Sequence, residues 1–127
     1  MAGEKILVVD DDDLFAESFH AKLEQLGYDA HYVLSGDEAI EYVKDNEFDL
    51  VFTDLVMPGK NGVETCRGIK AVRPNLKICL VSGHPMEIEA HFMSFVDAGG
   101  IDVFLRKPFL HKLEEHVKKA LVHVGYR

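Results

Sequence analysis

The stretch "VFTDLVMPGKNG", residues 51–62, contains the feature that decides the fold. An apolar run ends on a carboxylate, Asp54, and a turn-rich segment with Pro58 and Asn61-Gly62 follows directly. A lone Asp at such a place usually hydrogen-bonds its own backbone within the turn. The alternative is that the acid is held at a strand end for its chemistry. The other strand ends of the chain decide between the two interpretations.

Short apolar runs recur along the chain, and each is followed by a stretch in which apolar residues have helical spacing. Five runs have the length and composition of buried strands: "KILVV" (5–9), "DAHYV" (29–33), "DLVFT" (49–53), "LKICLV" (76–81) and "IDVFL" (101–105). Five such strand–helix units predict an α/β fold, a doubly wound parallel sheet with five helices on its two faces. Ligands of these sheets bind beyond the carboxyl ends of the strands.

The predicted helices are marked by apolar stripes and by end signals. Gly27 is a stop signal for the first helix, Ser35-x-x-Glu38 is a capping-box signal for the second, and Pro74 closes the third. The stripes place four of the helices at Phe15 to Leu26, Val63 to Val72, Met86 to Ala98 and Leu110 to Val124. Either Asp12 or Asp13 is expected to cap the first helix.

Reactive side chains follow four of the five predicted strands. These are Asp10 to Asp13 after the first strand, Asp54 after the third, Ser82-Gly83-His84 after the fourth and Arg106-Lys107 after the fifth. Because the carboxyl ends of parallel strands meet at one edge of a sheet, we expect these groups to lie close together. Turn formation explains one acid, but it does not explain acids, a hydroxyl and an amine at equivalent positions.

On these residues the chain resembles the receiver domain of bacterial two-component response regulators. The matching segments are "LVVDDD" (7–12), "DLVMPGKNG" (54–62), "LVSGH" (80–84) and "FLRKPF" (104–109). Their order and spacing match the family over essentially the whole chain. The resemblance implies a flavodoxin-like sheet with strand order 2-1-3-4-5 and a single receiver domain over residues 1–127.

The resemblance also implies a phosphoacceptor and a metal site. Asp54 would accept a phosphoryl group from a sensor histidine kinase or a phosphotransfer protein. Asp10 and Asp11, together with Asp54 and the backbone carbonyl of Val56, would hold a divalent cation, normally Mg²⁺. Three close carboxylates repel each other and the incoming phosphoryl oxygens, and Mg²⁺ with its preference for oxygen ligands removes that repulsion.

Two further positions complete the site that the resemblance implies. Lys107 would contact the phosphoryl group, and Ser82 would donate a hydrogen bond to oxygens whose charge shifts during transfer. Ser82 and the aromatic Phe104 would form the conformational switch. The peptide bond between Lys107 and Pro108 is expected to be cis. On this interpretation the chain is a signalling switch that phosphorylates and slowly dephosphorylates itself, and it has no other substrate.

Composition limits the possible partners. The chain of 127 residues carries 14 basic and 22 acidic residues, a net charge of −8, which disfavours direct nucleic-acid binding. No apolar run approaches the roughly 20 residues of a membrane span, and no secretory signal begins the chain, so we expect a cytoplasmic protein without a membrane partner. The expected downstream partner is another protein or a fused output domain beyond residue 127.

Three other interpretations fit the sequence less well. Asp10-x-Asp12 after the first strand resembles the nucleophile motif of phosphatases that use an Asp, but the chain has no room for the cap region of those enzymes. A phosphorylation-dead interaction domain is disfavoured, because all the acids, Ser82 and Lys107 are present. The seven His lack metal-ligand spacing, which argues against zinc, and Cys66 and Cys79 are predicted to be reduced packing residues.

Overall fold

The computed structural model of the chain describes residues 3–107 and 110–123, in which strands and helices alternate. The strands are β1 (Lys5–Val9), β2 (Asp29–Val33), β3 (Leu50–Asp54), β4 (Lys77–Ser82) and β5 (Phe104–Arg106). The helices are α1 (Asp13–Gln25), α2 (Gly36–Asp45), α3 (Gly62–Val72), α4 (Pro85–Asp97) and α5 (Leu113–Leu121), the last preceded by a 3₁₀ turn at Leu110–Lys112.

The five strands form one parallel sheet in the order β2-β1-β3-β4-β5, which confirms the predicted fold class and topology. Val9 pairs with Thr53, Asp54 with Val81, and Ser82 with Arg106. This register brings the last residue of each central strand to one edge of the sheet. The side chains at and just after these ends therefore come from distant parts of the sequence and meet there.

Both faces of the sheet are buried, each under its own set of helices. Alternate residues of a strand point to opposite faces, so Ile6, Val8 and Phe52 join a core with α1 and α5, whereas Leu7, Val9 and Val51 join a second core with α2, α3 and α4. This explains why the strands are almost continuously apolar. In the described part of the chain no helix is long and apolar enough to cross a membrane.

The helix ends use the polar side chains that the sequence suggested. Asp12 accepts a hydrogen bond from Phe15 N and caps α1, which confirms the capping prediction for one of the two acids. Ser35 accepts from Glu38 N at the start of α2, but the Glu38 carboxylate accepts from Leu34 N rather than completing the box at Ser35. A complete capping box, missed from the sequence, lies at Asn61 and Glu64.

The predicted strand bounds are wrong in three places. β3 and β4 each begin and end one residue later than predicted, and β5 is much shorter than the predicted 101–105. The N–H of Ile101 still donates to Ile78 O, but Asp102 contacts His123 at 2.6 Å and Val103 is exposed. The chain therefore joins the sheet as β5 only at Phe104. Sequence patterns do not show which residues leave a strand for a side-chain partner, so the predicted strand began too early.

Other predictions concern helix ends and cysteines. Gly27 has a φ of 97°, a left-handed conformation that ends α1 as predicted. The fifth helix begins as a 3₁₀ turn and is α-helical only from Leu113. Both cysteines are buried and free, as predicted, and burial raises the pKa of each thiol to about 12.

Candidate functional site

Three carboxylates lie together at the carboxyl edge of the sheet. Asp10 and Asp11 follow β1, and Asp54 ends β3. One oxygen from each lies within 4.8 Å of the others. Asp10 and Asp54 are buried, at 2% and 5% exposure, whereas Asp11 is open to solvent. Two buried acids and one exposed acid form a cluster of negative charge that a hydrated cation can approach from the side of Asp11.

Asp54 is held rigidly at the end of β3. Its Oδ1 accepts a hydrogen bond from Leu55 N at 2.9 Å, and its backbone carbonyl accepts one from the buried Thr53 hydroxyl at 3.0 Å. The N–H of Gly62 donates to Leu55 O at 2.8 Å, which closes the loop. A Cβ on Gly62 would lie 2.5 Å from Asp54 O, so only glycine lets α3 begin this close to the strand end.

The surroundings of Asp54 favour its neutral form. Burial and, after it, the negative charge of Asp10 raise the pKa of Asp54 from 3.8 to about 6, against the opposing effects of Lys107 and the Leu55 N–H. The Asp54 carboxyl group therefore titrates close to neutrality. Positive charge added at the site stabilises the ionised form, which is the nucleophilic form.

Lys107 supplies the positive charge of the site. Its Nζ lies 2.8 Å from Asp10 Oδ2 and 3.7 Å from Asp54 Oδ2. The other oxygen of Asp10 accepts a hydrogen bond from Asp12 N at 2.9 Å. Both oxygens of Asp10 are therefore engaged, and a cation bound at this carboxylate would share its negative charge with Lys107.

Ser82 joins β4 to the lysine. Its backbone carbonyl accepts a hydrogen bond from Lys107 N at 3.0 Å, and its side-chain hydroxyl accepts one from His84 N at 3.0 Å. The residue is fully buried. Within residues 3–107 and 110–123 the Oγ hydrogen has no hydrogen-bond acceptor, so the hydroxyl is suited to donate to an anion at the sheet edge.

The sequence pattern of this site is shared with known proteins. The family model described as the response regulator receiver domain matches residues 6–119. The chain belongs to this family. It is a receiver domain of the kind found in two-component response regulators.

Individual relatives support the assignment. The receiver domain is 32% identical over 93% of its length to the transcriptional regulatory protein ZraR of Salmonella typhimurium, and it spans only 26% of that protein. A CheY-like receiver domain from Methanospirillum hungatei has a similar structure, with a TM-score of 0.83 and 26% identity, covering 94% of both chains. TrrA from Thermotoga maritima in complex with Mg²⁺-BeF has a TM-score of 0.79 and 30% identity, over 92% of this chain and 98% of that one.

The receiver domain fits a magnesium ion at its carboxylates. Asp10, Asp11 and Asp54 offer only oxygen ligands, which Mg²⁺ prefers, and the exposed side of the cluster leaves room for the waters that Mg²⁺ keeps. The TrrA structure contains Mg²⁺. Val56, expected to contribute its carbonyl, follows Leu55 in the loop after β3 with its side chain 40% exposed, and its role as a ligand stays a prediction.

Two predicted positions lie apart from the carboxylates or outside the described residues. Phe104 lies on β5 beside β4, opposite Leu80, and is 38% exposed. Its ring packs against Phe92 of α4. The expected cis peptide involves Pro108, which lies outside the described residues.

Sequence reasoning missed one contact of the site. The ring of Phe15, on the first turn of α1, has Lys107 Nζ 4.3 Å from its centroid. The sequence assigned Phe15 only to the apolar stripe of α1. An aromatic residue three positions after the capping Asp12 was the available signal, but its pairing with Lys107 could be seen only in the folded structure.

Proposed function

We propose that Asp54 is the phosphoacceptor and that its phosphorylation changes the partner-binding surface of the receiver domain. The proposal is supported above all by one arrangement: a buried, rigidly held carboxylate with an amine 3.7 Å away and two further acids within 4.8 Å. A structural acid in a turn needs neither the lysine nor the acid pair. Relatives that contain receiver domains imply a histidine kinase as the source of the phosphoryl group.

The proposed step exchanges one bond to phosphorus for another. An oxygen of Asp54 attacks the phosphorus of a kinase phosphohistidine, or of a small acyl phosphate. The P–O bond to Asp54 forms as the P–N bond, or the bond to the acyl oxygen, breaks. The leaving group takes the bonding electron pair, and the released imidazole takes a proton from solvent. Rigid placement of Asp54 favours this in-line attack, because a carboxylate is a weak nucleophile.

The other residues of the site hold the oxygens of the transferred group. Lys107 places its ammonium beside Asp54, and Ser82 is expected to donate its hydroxyl hydrogen to a phosphoryl oxygen. Asp10 and Asp11 would hold Mg²⁺ with Asp54 and the Val56 carbonyl. When bound, Mg²⁺ supplies the charge that lets an anionic acceptor and an anionic phosphoryl group approach each other.

The downstream partner and the location remain proposals. ZraR is a transcriptional regulator of which this chain spans about a quarter. We therefore propose that the output is another protein or a fused domain rather than nucleic acid bound by the receiver itself, whose net charge is −8. Action in the cytoplasm, slow autodephosphorylation and the absence of a membrane partner stay predictions from the sequence.

Intact mass tests the acceptor assignment. The wild-type chain, incubated with Mg²⁺ and a small acyl phosphate, should gain one phosphoryl mass. Asp54→Asn should gain none, because an amide is not a nucleophile here, whereas Asp45→Asn at the exposed end of α2 should gain the same mass as the wild type. A phosphoryl mass on Asp54→Asn would overturn the assignment.

A further inference from the structure

Among the described residues, the ammonium of Lys107 has two acids and one aromatic ring as close neighbours. Nζ lies 2.8 Å from Asp10 Oδ2, 3.7 Å from Asp54 Oδ2 and 4.3 Å from the centroid of the Phe15 ring. A cation this near an aromatic face is attracted by the negative charge on that face. The side chain of Lys107 is only 22% exposed, so the attraction is less weakened by water than at an open surface.

Two buried aromatic rings hold the Phe15 ring in place. It meets Phe19 edge-on, with 5.8 Å between centroids and an interplanar angle of 72°. Phe19 in turn packs against Phe52 at 5.1 Å, and both of these rings are 1% exposed. Phe52 lies two residues before Asp54 on β3. A short aromatic stack therefore fixes the Phe15 face relative to the strand that carries Asp54.

The Lys107 side chain is anchored at its backbone and at its ammonium. Its backbone N–H is bonded to Ser82 O, but the four-carbon stem beyond it can adopt many rotamers. Gly83 adds no side chain to guide the stem, since a Cβ there would stand 3.7 Å from Lys107 Cβ and Cδ. The attraction of Asp10 for the ammonium weakens when a cation binds at the acid cluster, because the cation shares the negative charge of this carboxylate.

We propose that Phe15 is a positioning residue for Lys107. Its ring face keeps the ammonium beside Asp54 when a cation bound at the acid cluster shares the charge of Asp10. The inference rests on the proposed function of Asp54. A ring is suited to this task because it attracts the ammonium but has no oxygen with which to bind the cation itself, so cation binding leaves its attraction for the ammonium in place.

The competing explanation is that Phe15 only fills the core beneath α1. Both explanations predict some loss of folding stability when the ring is removed. They differ in two respects. One is whether the effect on the rate of phosphoryl transfer requires Lys107, and the other is whether a different aromatic residue at position 15 restores that rate. Leucine keeps an apolar side chain without an aromatic face, whereas tyrosine keeps the face and can extend its hydroxyl toward solvent from a half-buried position.

The kinetic test is a double-mutant cycle. Phosphorylation by an acyl phosphate at saturating Mg²⁺ is measured for the wild type, Phe15→Leu and Phe15→Tyr, and for each in a Lys107→Met background. We expect Phe15→Leu to slow the reaction about 3- to 10-fold and Phe15→Tyr to restore it to within about twofold. In the Lys107→Met background, Phe15→Leu should cause no further loss. An equal loss in both backgrounds would overturn the proposal.

A second readout does not depend on activity. In NMR spectra at saturating Mg²⁺, the methylene protons next to Lys107 Nζ should be shifted upfield by the Phe15 ring. The shift should vanish in Phe15→Leu and in Phe15→Met, and it should persist in Phe15→Tyr. Melting curves identify any variant that does not fold. If either Phe15→Leu or Phe15→Met does not fold, the shift measured in the other one tests the proposal.

The two readouts separate failure of the inference from failure of the proposed function. A wild-type chain that never gains a phosphoryl mass would overturn the acceptor role of Asp54 and, with it, the catalytic purpose of Phe15. A chain that is phosphorylated, but whose Lys107 methylene shift is the same in wild type and Phe15→Leu, would overturn the role of Phe15 alone.

Discussion

Phe104 of β5 packs edge-on against Phe92 of α4, with 5.1 Å between ring centroids and an interplanar angle of 70°. Phe104 is therefore on the outside of the sheet edge, 38% exposed, rather than beneath β4. Ser82, in the neighbouring strand, has its hydroxyl bonded by His84 N. This is the arrangement expected of the unphosphorylated state if Ser82 and Phe104 form the switch.

Phosphorylation is expected to reverse this arrangement. A phosphoryl group on Asp54 adds charge and acceptor oxygens, so Ser82 should turn toward it and leave space that Phe104 fills. Amide NMR with a beryllofluoride mimic should then show large shifts at Ser82, Gly83 and Phe104 and along residues 86–98. Asp54→Asn provides the control without a response. Shifts confined to the acid cluster would show that the signal does not pass along this route.

The raised pKa of Asp54 predicts a pH dependence of stability in the metal-free protein. The pKa rises from 3.8 to about 6 on folding, so the folded state binds more protons between these values. Proton binding by Asp54 therefore contributes to the free energy of unfolding. This contribution is complete below about pH 4 and is lost as pH rises through about 6, by up to about 3 kcal/mol. Asp54→Asn removes the ionisable carboxyl group and with it this pH dependence. The variant should therefore be more stable than the wild type at pH 7.

Urea unfolding from pH 4 to pH 7 in the presence of a chelator measures this dependence. The difference in the free energy of unfolding between wild type and Asp54→Asn isolates Asp54 from the other acids. It should grow with pH across this window. A difference that stays constant with pH would contradict the raised pKa.

Magnesium should stabilise the folded protein, because the carboxylate cluster exists only in the folded state. Binding at a hundredfold excess over Kd contributes about 2.7 kcal/mol, seen as a higher melting temperature. Asp11→Ala should reduce the increase, and Asp45→Ala, on α2, should leave it unchanged. An unaltered melting temperature at millimolar Mg²⁺, or the full increase in Asp11→Ala, would count against the site.

His84 is expected to affect the lifetime of the phosphorylated state. Its exposed side chain lies at the N-cap of α4 beside the site, and its backbone N–H, which an alanine keeps, makes the bond to Ser82. The apolar Val56 cannot orient an attacking water, whereas an imidazole can. His84→Ala should therefore change the dephosphorylation rate and leave phosphorylation largely intact.

The measurement is the decay of phosphoryl mass after the acyl phosphate is removed. His91→Ala is the matched control, since His91 lies farther along α4 and pairs with Glu87. Identical decay of wild type and His84→Ala would remove His84 from the mechanism.

Much of the site was predictable because strand ends can be recognised locally. Asp10, Asp11, Asp54, Ser82 and Lys107 each follow an apolar run, and parallel strands bring such positions to one edge. The bounds of β5 were not predictable in this way. Asp102 leaves the strand for His123, which is 21 residues distant in the chain, and no pattern within the run 101–105 reports that contact.

The amino-acid sequence by itself determined the alternation of strands and helices and the kinds of side chain at the sheet edge, because both depend on residue type and spacing along the chain. Only the tertiary structure decided that Lys107 pairs with Asp10 and lies over Phe15, that Phe104 faces outward and that the pKa of Asp54 is raised. Those properties depend on distances and burial among residues brought together from β1, α1, β3 and the end of β5. Such distances are set by the packing of helices on the sheet, which no single stretch of sequence contains.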